Sequence, residues 1–213
     1  MIIGIVYKLT LLFLVIKSFI LGRKYSFSTQ NYLFFYLFIT ASNEWVSFIR
    51  NVMDPNVKVG LQYNLYFIYC ILFYSSFYSS KFTRSLKKFS ILLAILSLSY
   101  VVFFTKFLGE DFDKRIGIII TLFYIINSLL WFYQKMSFFD ENKITDDPVF
   151  WISTALLMWS CFFIFRVTPM FFFAENDNEF LQFLKTGQNV VNIFMYAIFY
   201  FSLMKYEKKL KQI

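Results

Sequence analysis

The sequence predicts an all-α membrane protein whose single domain, residues 1–213, is a bundle of seven transmembrane helices. Its composition is 59% hydrophobic and only 16% charged, whereas about a quarter of the residues in a soluble domain are charged. Seven segments approach the roughly 20 apolar residues that a helix needs to cross a bilayer. No polar stretch is long enough for a separate soluble domain. We therefore expect the lipid bilayer to be a partner of the chain.

The bounds of the seven predicted spans are set by the apolar runs and by the residues that begin, end or interrupt a helix. Asp147 and Pro148 mark the start of the sixth span, because Pro is favoured in the first turn of a helix. Pro169 is expected to end or kink that helix. Lys8 and Lys17 interrupt the first span, and each can extend toward a membrane interface. The predicted spans are Ile3–Leu21, Tyr32–Arg50, Leu61–Ser79, Phe89–Phe107, Ile116–Tyr133, Pro148–Pro169 and Phe180–Met204.

The charges of the connecting segments predict the orientation. Basic residues concentrate in every second connection and in the C-terminal tail, and the remaining connections are short of them. Cytoplasmic loops of membrane proteins carry an excess of Lys and Arg, so the N-terminus is expected outside and the C-terminus in the cytoplasm. The basic set is Arg23, Lys24, Lys81, Arg84, Lys87, Lys88, Lys135, Lys143, Lys205, Lys208, Lys209 and Lys211.

Several functional classes are disfavoured by composition. The net charge of +8 lies in these short connections, so it is attributed to cytoplasmic retention, and no nucleic acid is expected as a partner. The chain has no His, which removes the commonest general base and metal ligand. Phosphate-binding and hydrolase motifs are missing. We expect no catalytic residues, no metal site, no cofactor and no enzymatic activity. Cys70 and Cys161 lie in apolar segments and are expected to be free.

The second predicted span carries a polar stripe that includes a carboxylate. Successive members are three or four residues apart, so they share one face of a helix. An acidic group is costly in hydrocarbon, so this face must contact protein or water. Glu44 is therefore the leading candidate for a functional site, although a structural ion pair or hydrogen bond is an equally good interpretation. The stripe consists of Tyr36, Thr40, Glu44, Ser47 and Asn51.

Polar residues of other spans occur at the same level of the predicted bundle. In the seventh span they follow helical spacing from Lys185 to Tyr200, and in the third they begin at Gln62. We hypothesise a polar cavity that faces outward and binds a small-molecule ligand. Interhelical hydrogen bonding without a ligand is the alternative. The hypothetical ligand-binding residues are Glu44, Tyr63, Asn64, Arg166, Asn189 and Asn192.

Short motifs resemble a group of small, uncharacterised seven-span inner-membrane proteins common in Bacteroidetes. They are Glu44 near the end of span two, Asn64-Leu65-Tyr66, the segment Asp147–Ile152, and the pair Asn189 and Asn192. The resemblance implies a multi-pass protein of the bacterial inner membrane. It also implies a role in signalling, because such proteins are often regarded as neighbours of sensor kinases.

Two functions follow from these observations. The first is a membrane sensor or regulatory protein that takes a ligand from the outer side and signals through a cytoplasmic or membrane protein partner. The alternative is a transporter or channel for a small solute or ion, with Glu44 as the coupling carboxylate. A transporter needs polar lining in both halves of the membrane and breaks in its helices. Polarity biased toward the outer half favours the sensor.

Overall fold

The structure confirms the all-helical prediction. It is a computed structural model that describes residues 2–54, 56–137, 143–168 and 177–211. Seven α-helices and two short 3-10 turns, Phe27–Gln30 and Ile144–Asp146, occupy these ranges, which contain no β-strand. The helices are α1 (Ile2–Tyr25), α2 (Leu33–Met53), α3 (Gly60–Ser79), α4 (Arg84–Phe104), α5 (Lys114–Ser137), α6 (Pro148–Val167) and α7 (Asn178–Lys211).

The start of α6 is as predicted. The side chain of Asp147 accepts a hydrogen bond from the backbone N–H of Val149 at 3.0 Å, and Pro148 occupies the first turn. This satisfies a backbone donor that the helix leaves without a partner. The last helical residue is Val167, and Pro169 lies outside the described residues.

Several helices extend beyond their predicted span boundaries, and the largest extensions are at the start of α4 and the end of α7. Helix α4 begins at Arg84 instead of Phe89, so the basic residues before the apolar run form its first turns. Helix α7 continues past Met204 to Lys211, where Lys211 and Glu207 form an (i, i+4) ion pair of 3.1 Å. Hydrophobicity therefore located the helices, whereas charged residues extend them beyond the apolar runs.

Six of the described helices form a closed ring, and α4 lies outside it. Each neighbouring pair in the order α1, α2, α3, α5, α6, α7 and back to α1 is packed together, most extensively α6 with α7. Helix α4 packs on the outer side against α3 and α5. Its buried face is narrow, and a hydrogen bond of 2.5 Å from Ser90 to Asn127 fastens it to α5.

Four of the described helices, α1, α4, α5 and α6, are long and apolar enough to cross a membrane. Exposed apolar side chains also cover the outer faces of the other three, for example Phe38 in α2, Leu72 in α3 and Phe194 in α7. Such surfaces are typical of contact with a lipid bilayer, and they support a multi-pass membrane protein.

One end of the ring is closed by polar contacts, and we call it the basic end. It comprises the last turns of α1, α3, α5 and α7 and the first turns of α2, α4 and α6; the opposite end is the cavity end. Ion pairs join Lys17 to Glu207 at 2.6 Å, Lys135 to Asp147 at 3.0 Å and Lys205 to Asp146 at 2.6 Å. Deeper in the bundle, the Tyr78 hydroxyl lies 3.1 Å from that of Ser128 and 3.0 Å from that of Ser153.

Candidate functional site

A cavity of about 530 Å³ lies inside the ring and opens toward the cavity end; along α2 its wall extends from Asn51 to Tyr36. All six ring helices contribute to its wall, together with Phe112 from the connection between α4 and α5, whereas α4 contributes no residue. Asn51 and Lys185 line the cavity and are exposed, so it reaches the surface there. Its volume falls within the range of small-molecule sites.

The polar stripe of α2 runs along this cavity. All five of its residues line the wall, because their spacing places them on the inner face of the helix while Phe38, Val46 and Ile49 face outward. Near the bottom of the cavity Thr40 donates to the backbone oxygen of Tyr36 at 2.7 Å. Its hydroxyl also lies 2.9 Å from that of Tyr66 in α3, which must then supply the proton. The stripe thus joins α2 to its neighbour.

Glu44 lies at the centre of the stripe and is bonded to two neighbouring helices. One carboxylate oxygen accepts a hydrogen bond from the hydroxyl of Tyr7 in α1. The other lies 3.3 Å from the hydroxyl of Tyr63 in α3, which is also 3.4 Å from that of Ser47. A phenol has one proton to donate, so it can satisfy only one of these acceptors at a time. Glu44 is therefore held by protein donors while it remains partly accessible from the cavity.

Arg166, in the last turn of α6, faces the same cavity. It is near enough to Glu44 for an electrostatic attraction, but no carboxylate of the described residues lies within the 4.0 Å of an ion pair. Its Nε is buried and has no hydrogen-bond partner among those residues. The guanidinium therefore has an N–H donor, at Nε, that no acceptor among the described residues satisfies.

Helix α7 contributes a row of polar residues. Lys185, Gln188, Asn189 and Asn192 all line the cavity at helical spacing. The Asn192 side-chain oxygen accepts from the indole N–H of Trp159 at 2.8 Å and from the Gln188 amide at 3.1 Å. These contacts join α7 to α6 and fix the orientation of both amides.

One predicted site residue lies elsewhere. Asn64 is fully buried at the start of α3, but it does not line the cavity. Its amide donates to the backbone oxygen of Asp111 at 3.2 Å and its oxygen accepts from the N–H of Asp113 at 3.2 Å. Asn64 therefore anchors the connection that carries Phe112. The other five predicted residues, Glu44, Tyr63, Arg166, Asn189 and Asn192, all line the cavity.

Among the wall residues that carry a polar group, sequence reasoning missed Tyr7, Lys8, Trp159 and Gln188. Lys8 lies over the rings of Tyr7 and Phe48, at 4.4 and 5.4 Å from their centroids. One signal was present in the sequence: Gln188 stands four residues before Asn192 on the same helical face.

The comparisons with known proteins add no relative. The chain matches no protein-family model, no curated protein and no solved structure. Within the described ranges, no group of three or more His, Cys, Asp or Glu side chains is arranged to hold a metal ion. Cys70 is buried and Cys161 is exposed, and both are free.

Proposed function

We propose that the chain is a membrane sensor or regulatory protein that binds a small molecule in the cavity and transmits the event to a protein partner at its basic end. The observation that carries the proposal is the one-sided cavity. It reaches the surface beside Asn51 and Lys185, and its deepest lining includes the buried Tyr36, Tyr124 and Tyr196. Below it the ring is filled with side chains and closed by ion pairs. A site of this shape is suited to binding from one side.

The proposal includes seven membrane spans. Helices α2, α3 and α7 have 21, 20 and 34 residues, enough for about 30 Å of hydrocarbon. They carry many of the polar residues of the cavity, among them Glu44, Tyr63 and Asn189, and these residues lower their hydropathy. Their outward faces carry apolar side chains, as those of a spanning helix must.

We further propose that the basic end lies in the cytoplasm of a bacterium and that the cavity end lies outside its inner membrane. The excess of Lys and Arg at the basic end supports this orientation. A ligand would then enter from the outer side, and the exposed basic residues would meet the protein partner. We propose a binding function for the cavity and no catalytic one.

Binding can be tested with the purified protein in lipid nanodiscs. Amino acids, organic acids, sugars and nucleosides are screened for compounds that raise the unfolding temperature, because a ligand that binds only the folded state stabilises it. We expect at least one compound to stabilise the wild type and to have a much weaker effect on Glu44→Gln. Glu110→Gln removes an exposed carboxylate outside the cavity and is the matched control.

Two results would contradict the proposal. A folded Glu44→Gln variant that responds to every compound as the wild type does would remove Glu44 from the site. Uptake of a stabilising compound into proteoliposomes, abolished by Glu44→Gln, would instead favour the transporter that the sequence left as an alternative.

A further inference from the structure

The charges that line the cavity are unbalanced. Lys8, Arg166 and Lys185 contribute three positive charges, and Glu44 contributes the one negative charge among the described lining residues. Lys8 has a long hydrogen bond of 3.5 Å to a backbone oxygen and otherwise lies over two aromatic rings. An enclosed surplus of positive charge attracts anions and raises their local concentration.

Arg166 provides a specific binding group for an anion within this positive cavity. Its buried Nε has no described partner, and a buried donor without a partner costs free energy. Glu44 does not meet this need: its oxygens are bonded to the Tyr7 and Tyr63 hydroxyls, and its carboxylate forms neither a hydrogen bond nor an ion pair with Arg166. The planar guanidinium matches the geometry of a carboxylate and can bind it through two parallel hydrogen bonds.

Gln188 provides a second buried polar group without a hydrogen-bond partner. It is 3% exposed, and its side-chain oxygen has no hydrogen-bond partner. The orientation of this amide follows from its neighbours. The indole N–H of Trp159 can only donate, so it must face the side-chain oxygen of Asn192. The same oxygen is the neighbour of the Gln188 amide, so Gln188 must turn its nitrogen toward it and donate a hydrogen bond. The Gln188 oxygen is thereby left as an acceptor for an N–H or O–H group.

We propose that the ligand is a small organic acid that carries an additional N–H or O–H donor. Its carboxylate binds Arg166 and its donor binds the side-chain oxygen of Gln188. Its carbon skeleton lies against the stacked rings of Trp159 and Phe163, whose centroids are 4.5 Å apart. This inference rests on the proposed function, since it names the class of ligand for the same cavity.

The test uses three sets of matched probes in nanodiscs of zwitterionic lipid, so that no anionic headgroup competes. Each set contains a 2-hydroxy acid, its amide and the same acid without the hydroxyl. The sets are lactate, lactamide and propionate; 2-hydroxyisocaproate, its amide and isocaproate; and 3-phenyllactate, its amide and 3-phenylpropionate. Affinity is measured by calorimetric titration of the full chain.

In at least one set we expect the hydroxy acid to bind about tenfold more tightly than its amide, as loss of a charge-assisted hydrogen bond implies. It should also bind several-fold more tightly than the acid without the hydroxyl. Arg166→Gln should abolish the preference for acid over amide. Gln188→Met should abolish only the preference for the hydroxyl. Arg84→Gln removes an exposed charge at the basic end and should change neither preference.

Equal affinity for acid and amide in the wild type would overturn the inference, even if Arg166→Gln did not fold. Absence of saturable binding by every probe would overturn it as well. In both cases the proposed function is decided separately, by the wider screen against Glu44→Gln, because a sugar or nucleoside that binds the cavity would leave that function in place.

Discussion

The hydroxyl of Tyr7 in α1 donates a hydrogen bond to the Glu44 carboxylate in α2. Tyr7 is buried, and its helix position lies at the same level as the middle of the polar stripe. A carboxylate that accepts from a fixed donor is held in one orientation. The contact therefore positions Glu44 at the cavity wall and joins the first helix to the second.

We expect Tyr7→Phe to lower the free energy of unfolding by about 1–3 kcal/mol, because it removes a hydrogen bond to a carboxylate and leaves that acceptor less satisfied. The measurement is thermal or denaturant unfolding in a single detergent. Tyr133→Phe, at an exposed position of α5, is the matched control and should have little effect. Equal stability of the two variants would show that the Tyr7 contact contributes nothing.

Gly60 is required by close packing at the start of α3. A Cβ atom at this position would overlap the backbone of Glu110, Asp111 and Phe112. We expect Gly60→Ala to lower the unfolding temperature by several degrees and to displace the connection that carries Phe112. Gly4→Ala is the control, since the nearest atom to a new Cβ there is 3.6 Å away. It should be neutral or slightly stabilising, as Ala generally is in a helix. Similar losses in both variants would contradict this account.

Replacement of Asn64 should mainly reduce stability, whereas replacement of Asn189 should mainly change ligand affinity. Asn64→Ala removes two hydrogen bonds to the connection between α4 and α5, so we expect a loss of about 1–3 kcal/mol in stability and little change in ligand affinity at permissive temperature. Asn189→Ala alters the cavity wall and should change ligand affinity more than stability. Unfolding and titration of both variants give the comparison. The opposite pattern would place Asn64 in the binding site.

Acid should weaken the basic end through Glu207, which lies beyond the predicted seventh span. Hydrogen bonds from Lys17 and Lys211 hold the pKa of Glu207 below its ordinary value of 4.5. A carboxylate whose pKa is lower in the folded state contributes stability at neutral pH, and this contribution is lost as the pH falls below about 4.5. We expect the unfolding temperature of Glu207→Gln to fall less than that of the wild type between about pH 6 and about pH 3. Glu179→Gln, an exposed change in the first turn of α7, should retain the wild-type profile.

The proposed orientation predicts a pattern of thiol labelling. In a background without Cys70 and Cys161, Asn51→Cys at the cavity mouth should react with a membrane-impermeant maleimide on intact spheroplasts. Ser137→Cys, exposed at the end of α5, should react only after the membrane is permeabilised. The reverse pattern would place the basic end outside.

The sequence predicted the helices and the inner face of α2 because both depend on spacing along a single element. The residues from Tyr36 to Asn51 repeat every three or four positions, so their common face is a local property of the helix. The row on α7 that includes Asn189 and Asn192 was found by the same rule, and both rows line the cavity except for Tyr200 at the end of the second.

The remainder depended on contacts between distant segments. Asn64 stands at the same level as Tyr63, but a backbone segment from the next connection covers it, and helical spacing contains no information about that segment. Tyr7 was overlooked because a Tyr near the end of a span is usually an interfacial anchor, and only its pairing with Glu44 distinguishes it. The exclusion of α4 from the ring is likewise a matter of tertiary packing, since its sequence is as apolar as that of α6, which belongs to the ring.

The peripheral place of α4 separates the surface that faces the surroundings on this side from the wall of the cavity. Substitutions at Leu92, Ile95 or Leu96, which are exposed on this helix, should adapt the protein to a thicker or thinner bilayer without altering the cavity wall. A fluorophore attached to the same face would report the surrounding lipid and remain silent to cavity occupancy, so it offers an internal reference for any optical readout of binding.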